Sequence, residues 1–217
     1  MNDLPYYALS ALAVLITLTV HEYAHAYAAY KMGDPTAKNL GRLSLNPLKH
    51  LDPVGAICMI FFHFGWAKPV PINARNFKNP RRGFAISALA GPLINLMISF
   101  FTAPVFLIFQ KALINLLARS TPAVFAFNVT YNAMQFFYIF HVVNLGIAIF
   151  NLIPVPPLDG SRILYVFLPP KYYFGVMKYE RYIALGIMLL LLIGVLDPLL
   201  SFVTGGIMNL FFLLLGL

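Results

Sequence analysis

The stretch TVHEYAHAYAAY (residues 19–30) ends a long apolar run, yet it carries His21, Glu22 and His25 in the spacing H-E-x-x-H. Two histidines four residues apart project from one face of a helix, so both imidazoles can reach one ion. Glu22, next to the first histidine, is placed to take a proton from water at the metal, as in zinc hydrolases. With the His and Glu content of this chain, chance gives the pattern in about one of a thousand such sequences. The stretch therefore predicts a metal site in a helix.

The composition indicates a membrane-embedded protein. Hydrophobic residues make up 60% of the 217 residues and charged residues only 10%, whereas about a quarter of a soluble domain is charged. No flexible linker, low-complexity tract, charge block or repeat divides the sequence. We therefore expect a single domain over residues 1–217, with the metal motif in a catalytic core at about 4–165 and a carboxyl-terminal helical hairpin at about 182–217.

Five apolar runs predict the membrane segments. A bilayer core of about 30 Å requires about 20 helical residues, and the first, third and fourth runs reach that length. The second is short enough for a re-entrant piece packed against protein, and its length leaves open whether it crosses. Pro198 predicts a break of the last run into two short helices. We predict an all-α polytopic fold with about five or six membrane segments. The runs cover residues 4–30, 51–66, 83–110, 123–153 and 182–217.

The basic residues predict how the chain is oriented in the membrane. Although the net charge is +8, these residues neither cluster on one predicted helix nor accompany a nucleic-acid-binding module, so we expect no nucleic-acid partner. Of the 15 Lys and Arg, only Lys111 and Arg119 lie in the connection between the third and fourth runs. Cytoplasmic loops carry an excess of Lys and Arg. We therefore expect the carboxyl ends of the first and fourth runs to face the cytoplasm, which requires 51–66 to return to the side that it leaves.

A catalytic zinc site needs a third protein ligand and leaves a position for water. Asp159 is the best-placed candidate, because it stands in NLIPVPPLDGSR (residues 151–162), where three prolines prevent a continuing helix. Irregular backbone at membrane depth is tolerated only where protein or a wet cavity surrounds it. An ordinary Asp-Gly turn is the alternative explanation. The remaining candidates, less well placed, are His50, His63, His141, Glu180 and Asp197.

Several motifs together resemble the site-2 protease family of intramembrane zinc metalloproteases. They are the H-E-x-x-H pair in the first run, AGPLIN (90–95) and N-x-x-P-x-P-P-L-D-G (151–160). NPLKHLDPVG (46–55) and GWAKPVPIN (65–73) extend the resemblance to the compact bacterial and archaeal members, over most of residues 10–165. We expect a compact member without a PDZ or CBS domain.

The resemblance implies a site and an activity. His21, His25 and Asp159 would bind one Zn²⁺ ion, Glu22 would act as the general base toward a zinc-activated water, and Asn151 would hold the substrate or its oxyanion. The enzyme would lie in the prokaryotic cell membrane with its active site toward the cytoplasm. Its substrates would be single-span membrane proteins, cut within or beside their transmembrane segments.

The family holds a small sheet near the zinc, and two stretches here match it. GRLSLN (41–46) and KPVPIN (68–73) alternate apolar residues and are the expected membrane-associated strands, with prolines confining the second to a sheet edge. An extended substrate would add to that edge. Without the resemblance, connecting loops explain both stretches equally well.

Two asparagines leave their roles open. Asn95 shares a helix face with Gly91, which suits either close helix packing or a place at the site. Asn144 shares a face with Asn151, which suits either a water path to the zinc or a hydrogen bond between helices.

Two other functions also place His and acidic residues in a membrane. A metal-ion transporter is one, although its sites usually lie near the midplane between repeated halves. A catalytically silent membrane scaffold is the other, although the ligand and base positions are intact here.

Overall fold

The structure, a computed structural model, describes residues 4–55, 66–118 and 123–216, and this part is built from α-helices. The helices are α1 (Leu4–Lys31), α2 (Thr36–Asn39), α3 (Pro80–Leu117), α4 (Val124–Leu152), α5 (Asp159–Leu164), α6 (Pro170–Met177), α7 (Glu180–Leu192) and α8 (Asp197–Leu215), with short 3₁₀ turns at Pro47–Lys49 and Ala74–Asn76.

Four of the described helices, α1, α3, α4 and α8, are long and apolar enough to cross a membrane. On α3, the large apolar side chains of Leu93, Met97 and Phe101 are exposed, whereas the polar Asn95 and Ser99 are fully buried. Polar side chains inside and apolar ones outside suit a helix bundle surrounded by lipid, where polar groups must find partners within the protein. The chain is an integral membrane protein.

The helix α3 begins and continues for identifiable local reasons. Asn79 caps its first turn by accepting a hydrogen bond from the Arg82 N–H. Pro80 lies in the first turn, where a backbone N–H has no acceptor within the helix, so its missing N–H costs no hydrogen bond. The helix then runs through Pro92 and Pro104. Membrane helices tolerate such prolines because neighbouring groups satisfy the freed carbonyls.

The central helix of the bundle is α3, which contacts α1, α4, α5 and α8. As the residue number increases along α3, the residue number of its contact partner decreases along α1 and along α4. The helix α3 is therefore antiparallel to both. The carboxyl ends of α1 and α4 therefore lie at the same end of the bundle, as the charge distribution predicts. The contacts are Ser87–His25 and Asn95–His21 between α3 and α1, and Ser99–His141, Phe106–Tyr138 and Phe109–Phe137 between α3 and α4.

The three long apolar runs predicted to span the membrane form α1, α3 and α4, which are helices of the predicted length and apolar character. The last run is divided as predicted, with the turn at 193–196, where Gly194 has φ of 71° and Pro198 lies in the first turn of α8. However, α7 has 13 residues, about 20 Å of helix, and is not among the candidate spans. The predicted count of five or six segments is not confirmed. Residues 56–65, which hold most of the proposed re-entrant piece, lie outside the described residues.

The predicted short strands are not confirmed. Within the described chain, neither 41–46 nor 68–73 forms a strand, and an isolated bridge joins Leu51 to Ala67. Two of the six residues in 68–73 are prolines and offer no N–H to a ladder, and the N–H groups of Val70 and Asn73 bond to side chains instead. Residues 68–73 are an extended loop held against α1.

Candidate active site

The H-E-x-x-H motif lies in the second half of α1 with all three polar side chains buried. His21 is 4%, Glu22 9% and His25 6% exposed. The second histidine precedes the last residue of α1, Lys31, by six residues, which is about 9 Å along the helix. The motif therefore sits just inside one end of a spanning helix.

Asp159 forms a cluster of three ligand-type side chains with His21 and His25. Its Oδ2 lies 3.2 Å from Nε2 of His21 and 3.1 Å from Nε2 of His25, and the two Nε2 atoms are 2.9 Å apart. Zinc bonds of about 2.0–2.1 Å in a tetrahedron separate ligand atoms by about 3.3 Å. The spacing of this ligand cluster matches one zinc ion to within a few tenths of an ångström.

A sharp turn after α4 brings the Asp159 carboxylate to the ligand cluster. Three prolines stand between the end of α4 and the start of α5, so the helix cannot continue. A Cβ on Gly160 would lie 2.4 Å from the carbonyl oxygens of Leu152 and Ile153. Only glycine lets the first turn of α5 pack this closely against the end of α4, which explains why a glycine follows the aspartate.

The ring of His25 is held in the tautomer that a metal ligand requires. Its Nδ1 lies 2.7 Å from the carbonyl oxygen of Ser87 on α3. A carbonyl oxygen only accepts, so Nδ1 carries the hydrogen and Nε2 of the neutral ring presents its lone pair to the ligand cluster. The atoms that would bind the metal therefore suit zinc in their chemistry as well as in their spacing.

Gly91 brings α3 directly against the two imidazoles. A Cβ there would lie 2.5 Å from His25 Nε2 and 2.7 Å from His21 Cε1, closer than side-chain atoms can pack. Ser87, Gly91 and Asn95 are spaced by four and share one face of α3. We call this face the back wall of the site.

Asn95 completes the back wall beside His21. Its side chain is fully buried, and its Nδ2 lies 3.1 Å from Nδ1 of His21. Its Oδ1 is buried without a hydrogen-bond partner among the described residues. Of the two interpretations of Asn95, the structure supports a place at the site.

Glu22 points to a different neighbour from the two histidines. Its Oε2 accepts a hydrogen bond of 2.8 Å from the N–H of Val70, in the extended segment 68–73. Prolines precede and follow Val70, so its N–H is the donor that this part of the segment presents. Sequence reasoning missed the contact, because a backbone N–H has no side-chain signature; the Pro-Val-Pro pattern was the available signal.

Asp34 anchors the far end of the segment 68–73 to the end of α1. Its buried carboxylate accepts hydrogen bonds from the N–H groups of Thr36 (3.0 Å) and Asn73 (2.7 Å) and from Asn76 Nδ2 (2.7 Å). Burial acts to raise the pKa of Asp34, but the hydrogen bonds outweigh it and hold the pKa below its usual value. Asp34 is not among the site residues predicted from the sequence, although the Asp-Pro-Thr stretch, typical of an Asx turn, was an available signal.

Asn151 and Asn144 both make hydrogen bonds outside the ligand cluster. Asn151 is half-buried in the last turn of α4, and its Nδ2 donates to the Ile147 carbonyl of the same helix at 3.0 Å. Asn144 donates to Thr17 Oγ1 of α1 at 2.9 Å. The structure supports the interhelical interpretation of Asn144.

The other third-ligand candidates do not join the ligand cluster within the described chain. His50 and His141 each bond through a ring nitrogen to a backbone carbonyl oxygen, at 2.7 and 2.9 Å. Glu180 and Asp197 begin α7 and α8, and His63 lies outside the described residues.

A spanning helix that carries H-E-x-x-H, with a buried aspartate beside both histidines, is the arrangement of a membrane metallopeptidase. The chain belongs to peptidase family M50, whose family model matches residues 9–195. The family uses zinc, so the predicted cofactor and the predicted family are confirmed.

Similar proteins come from bacteria and an archaeon. The chain is 39% identical to YwhC of Bacillus subtilis over 214 residues, which cover 96% of this chain and 92% of that protein. It is 28% identical to the zinc metalloprotease MJ0392 of Methanocaldococcus jannaschii over 178 residues, 82% of this chain and 39% of that protein. With Rip2 of Mycolicibacterium smegmatis it shares 29% identity over 72% of this chain and 56% of that protein. No solved structure matches significantly.

Proposed function

We propose that this metalloprotease cuts peptide bonds within or beside the transmembrane segments of single-span membrane proteins. One observation carries the proposal: three buried ligand atoms lie within 3.2 Å of one another in a bundle of spanning helices, with Glu22 adjacent to the first of them in sequence. A protease whose reactive groups lie inside a membrane bundle meets substrates that share the bilayer.

The side chains of the site have separate roles in the proposed reaction. His21, His25 and Asp159 would hold a zinc ion, which would supply the acidification of water and the polarisation of a peptide carbonyl. Glu22 takes the proton of the attacking water and passes it to the departing amine nitrogen. Because the Val70 N–H holds Oε2 of Glu22, Oε1 is the oxygen that receives the proton.

Asn151 is the proposed donor to the substrate or its developing oxyanion. Its amide nitrogen donates one hydrogen to the Ile147 carbonyl of its own helix, which leaves the second hydrogen of the NH₂ group for this role. A helical substrate also has to unwind locally, since its carbonyls are otherwise bonded within the helix.

The distribution of charge supports a location in the prokaryotic cell membrane with the site toward the cytoplasm. Thirteen of the 15 Lys and Arg lie in the connections on the side where α1 and α4 end, and cytoplasmic loops are enriched in these residues. The ligand cluster lies at that same end of the bundle.

The test compares Glu22→Gln with Glu180→Gln, which changes the chain's other glutamate at the start of α7. Each protein is purified in detergent, its zinc content is measured, and it is incubated with a panel of single-span membrane proteins. Glu22→Gln should keep one zinc per chain and lose cleavage by at least about 100-fold, the scale of a general base. Glu180→Gln should match wild type in both.

Undiminished cleavage by Glu22→Gln would overturn the proposed role of the base. A wild-type protein that binds zinc, cleaves no member of the panel and moves zinc across vesicle membranes would instead indicate a transporter.

A further inference from the structure

The two imidazoles of the ligand cluster have different partners on α3. Nδ1 of His25 faces a carbonyl oxygen, the Ser87 main chain, at 2.7 Å. Nδ1 of His21 faces the amide nitrogen of Asn95 at 3.1 Å. The first contact pairs a donor with an acceptor in the metal-binding tautomer, whereas the second does so only if Nδ1 of His21 has no hydrogen.

Zinc binding determines where that hydrogen lies. A neutral imidazole has one N–H, and the nitrogen that binds a metal must offer its lone pair. Nε2 of His21 is the atom within 3.2 Å of both Asp159 Oδ2 and His25 Nε2. With zinc on Nε2, Nδ1 of His21 therefore carries the hydrogen and needs an acceptor.

Asn95 has an unused acceptor for this purpose. Its Oδ1 is fully buried and without a hydrogen-bond partner among the described residues. The two ends of a carboxamide have nearly the same shape, so their hydrogen-bonding partners determine which end faces which group. A half-turn of the amide exchanges Oδ1 and Nδ2 in place and replaces the contact between two donors with a hydrogen bond.

We propose that Asn95 is a positioning residue for the zinc ligand His21, whose Nδ1–H donates to Asn95 Oδ1 in the zinc-loaded protein. Rotation of Asn95 then leaves its amide nitrogen, instead of its oxygen, in the unpartnered position. The back wall then supports both histidines in the same way: Ser87 O accepts from the Nδ1–H of His25, and Asn95 Oδ1 accepts from the Nδ1–H of His21. Gly91 lies between these two acceptors. Such hydrogen bonds fix the ring orientation and raise the basicity of the ligand nitrogen.

The proposal rests on the proposed zinc site, and its test measures zinc binding rather than cleavage. Asn95→Leu removes both the donor and the acceptor in a side chain of similar size. Asn95→Asp keeps an acceptor but has no N–H to donate. Asn144→Leu is the matched control, because Asn144 is also a fully buried asparagine between spanning helices but bonds to Thr17 and Phe140 rather than to a ligand.

The Kd for zinc of each protein is measured in detergent by competition with a chelating dye. Asn95→Leu should bind zinc about 10–100-fold more weakly, whereas Asn95→Asp should restore most of the affinity and Asn144→Leu should match wild type. The proposal is overturned if Asn95→Asp is as weak as Asn95→Leu, since the amide would then act as a donor. It is also overturned if Asn95→Leu binds like wild type. A wild type that binds no zinc would refute the zinc site itself.

A second measurement does not depend on any variant folding. In ¹⁵N-histidine NMR of zinc-loaded wild type, Nδ1 of His21 should show a bonded proton in slow exchange. A resonance typical of an unprotonated Nδ1 in the zinc-loaded protein would overturn the proposal.

Discussion

At the scale of single residues, each imidazole of the ligand cluster uses its two nitrogens for separate tasks. Nε2 points into the cluster, and Nδ1 points to the back wall on α3. A shift of either ring by a fraction of an ångström would separate it from Asp159, because zinc–ligand distances are tightly defined. Gly91, the smallest residue of the back wall, is therefore important for the positions of both imidazole rings.

Gly91→Ala should disrupt zinc binding without unfolding the helix. The added Cβ would lie 2.5 Å from His25 Nε2, so the rings have to move apart. We expect the zinc affinity to fall by at least about 10-fold, the scale seen when the support of a metal ligand is lost. Dialysis against a weak chelator followed by metal analysis measures this.

The matched control for that substitution is Gly146→Ala, in the spanning helix α4. A Cβ there meets nothing within 4 Å, so this variant should hold zinc like wild type. If Gly91→Ala also retained wild-type affinity, α3 would not set the positions of the histidines.

At the scale of elements, the site depends on a turn and a loop that lie next to the ends of spanning helices. The turn after α4 places Asp159, and the loop 68–73 returns to α1, where the Val70 N–H meets Glu22. Asp34 ties that loop to the end of α1. The orientation of Glu22, the proposed general base, thus depends on a connection outside the spanning helices.

Asp34→Asn should weaken this connection in a pH-dependent way. An amide nitrogen at the Oδ2 position cannot accept from the Asn73 N–H, so the free energy of unfolding should fall by about 2 kcal/mol at neutral pH. Folding lowers the pKa of Asp34, so its carboxylate stabilises the protein above the unfolded pKa of about 3.9, and this is lost as the pH falls through the folded value. The difference between wild type and variant should therefore shrink below about pH 4.

Unfolding in detergent at a series of pH values measures this difference. Asp52→Asn serves as the control, because Asp52 accepts a hydrogen bond from the nearby Gly55 N–H and does not hold the loop 68–73. A difference between wild type and Asp34→Asn that stays constant down to pH 3 would contradict the prediction.

At the scale of the whole molecule, the proposed zinc site joins parts of the chain that are far apart in sequence. His21 and His25 belong to α1, whereas Asp159 belongs to α5, and two further spanning helices, α3 and α4, lie between them in the described part of the chain. A ligand that binds only the folded chain stabilises it according to its concentration and Kd. Zinc bound at this site would therefore stabilise the helix bundle as well as supply the reactive chemistry.

Removing zinc should lower the Tm of the protein in detergent. At a free zinc concentration 100 times Kd the metal adds about 2.7 kcal/mol of stability, so EDTA should lower the Tm and added zinc should restore it. Asp159→Asn should be much less sensitive to EDTA, whereas Asp197→Asn, a change at the start of α8, should respond like wild type. Equal responses of all three proteins would exclude a role for Asp159 in the metal site.

The amino-acid sequence alone determined the features that are local along the chain. Long apolar runs predicted α1, α3 and α4 because a helix must be about 20 residues long to cross the bilayer. The i, i+4 spacing of His21 and His25 placed both on one helix face, and three prolines ended α4 before Asp159. At 68–73 the alternating apolar residues left strand and loop equally open, the family resemblance favoured a strand, and the chain forms a loop.

Only the tertiary structure decided which groups support the site. The Val70 N–H reaches Glu22 across 48 residues, the Ser87 carbonyl reaches His25 across 62, and Asn95 reaches His21 across 74. Two of these three partners are backbone groups, which every residue but proline possesses in full, so the sequence does not distinguish them. The Ser87 carbonyl and Asn95 reach the two histidines because α3 packs antiparallel on α1, closely at Gly91. The Val70 N–H reaches Glu22 because the loop 68–73, tied to the end of α1 by Asp34, returns to that helix.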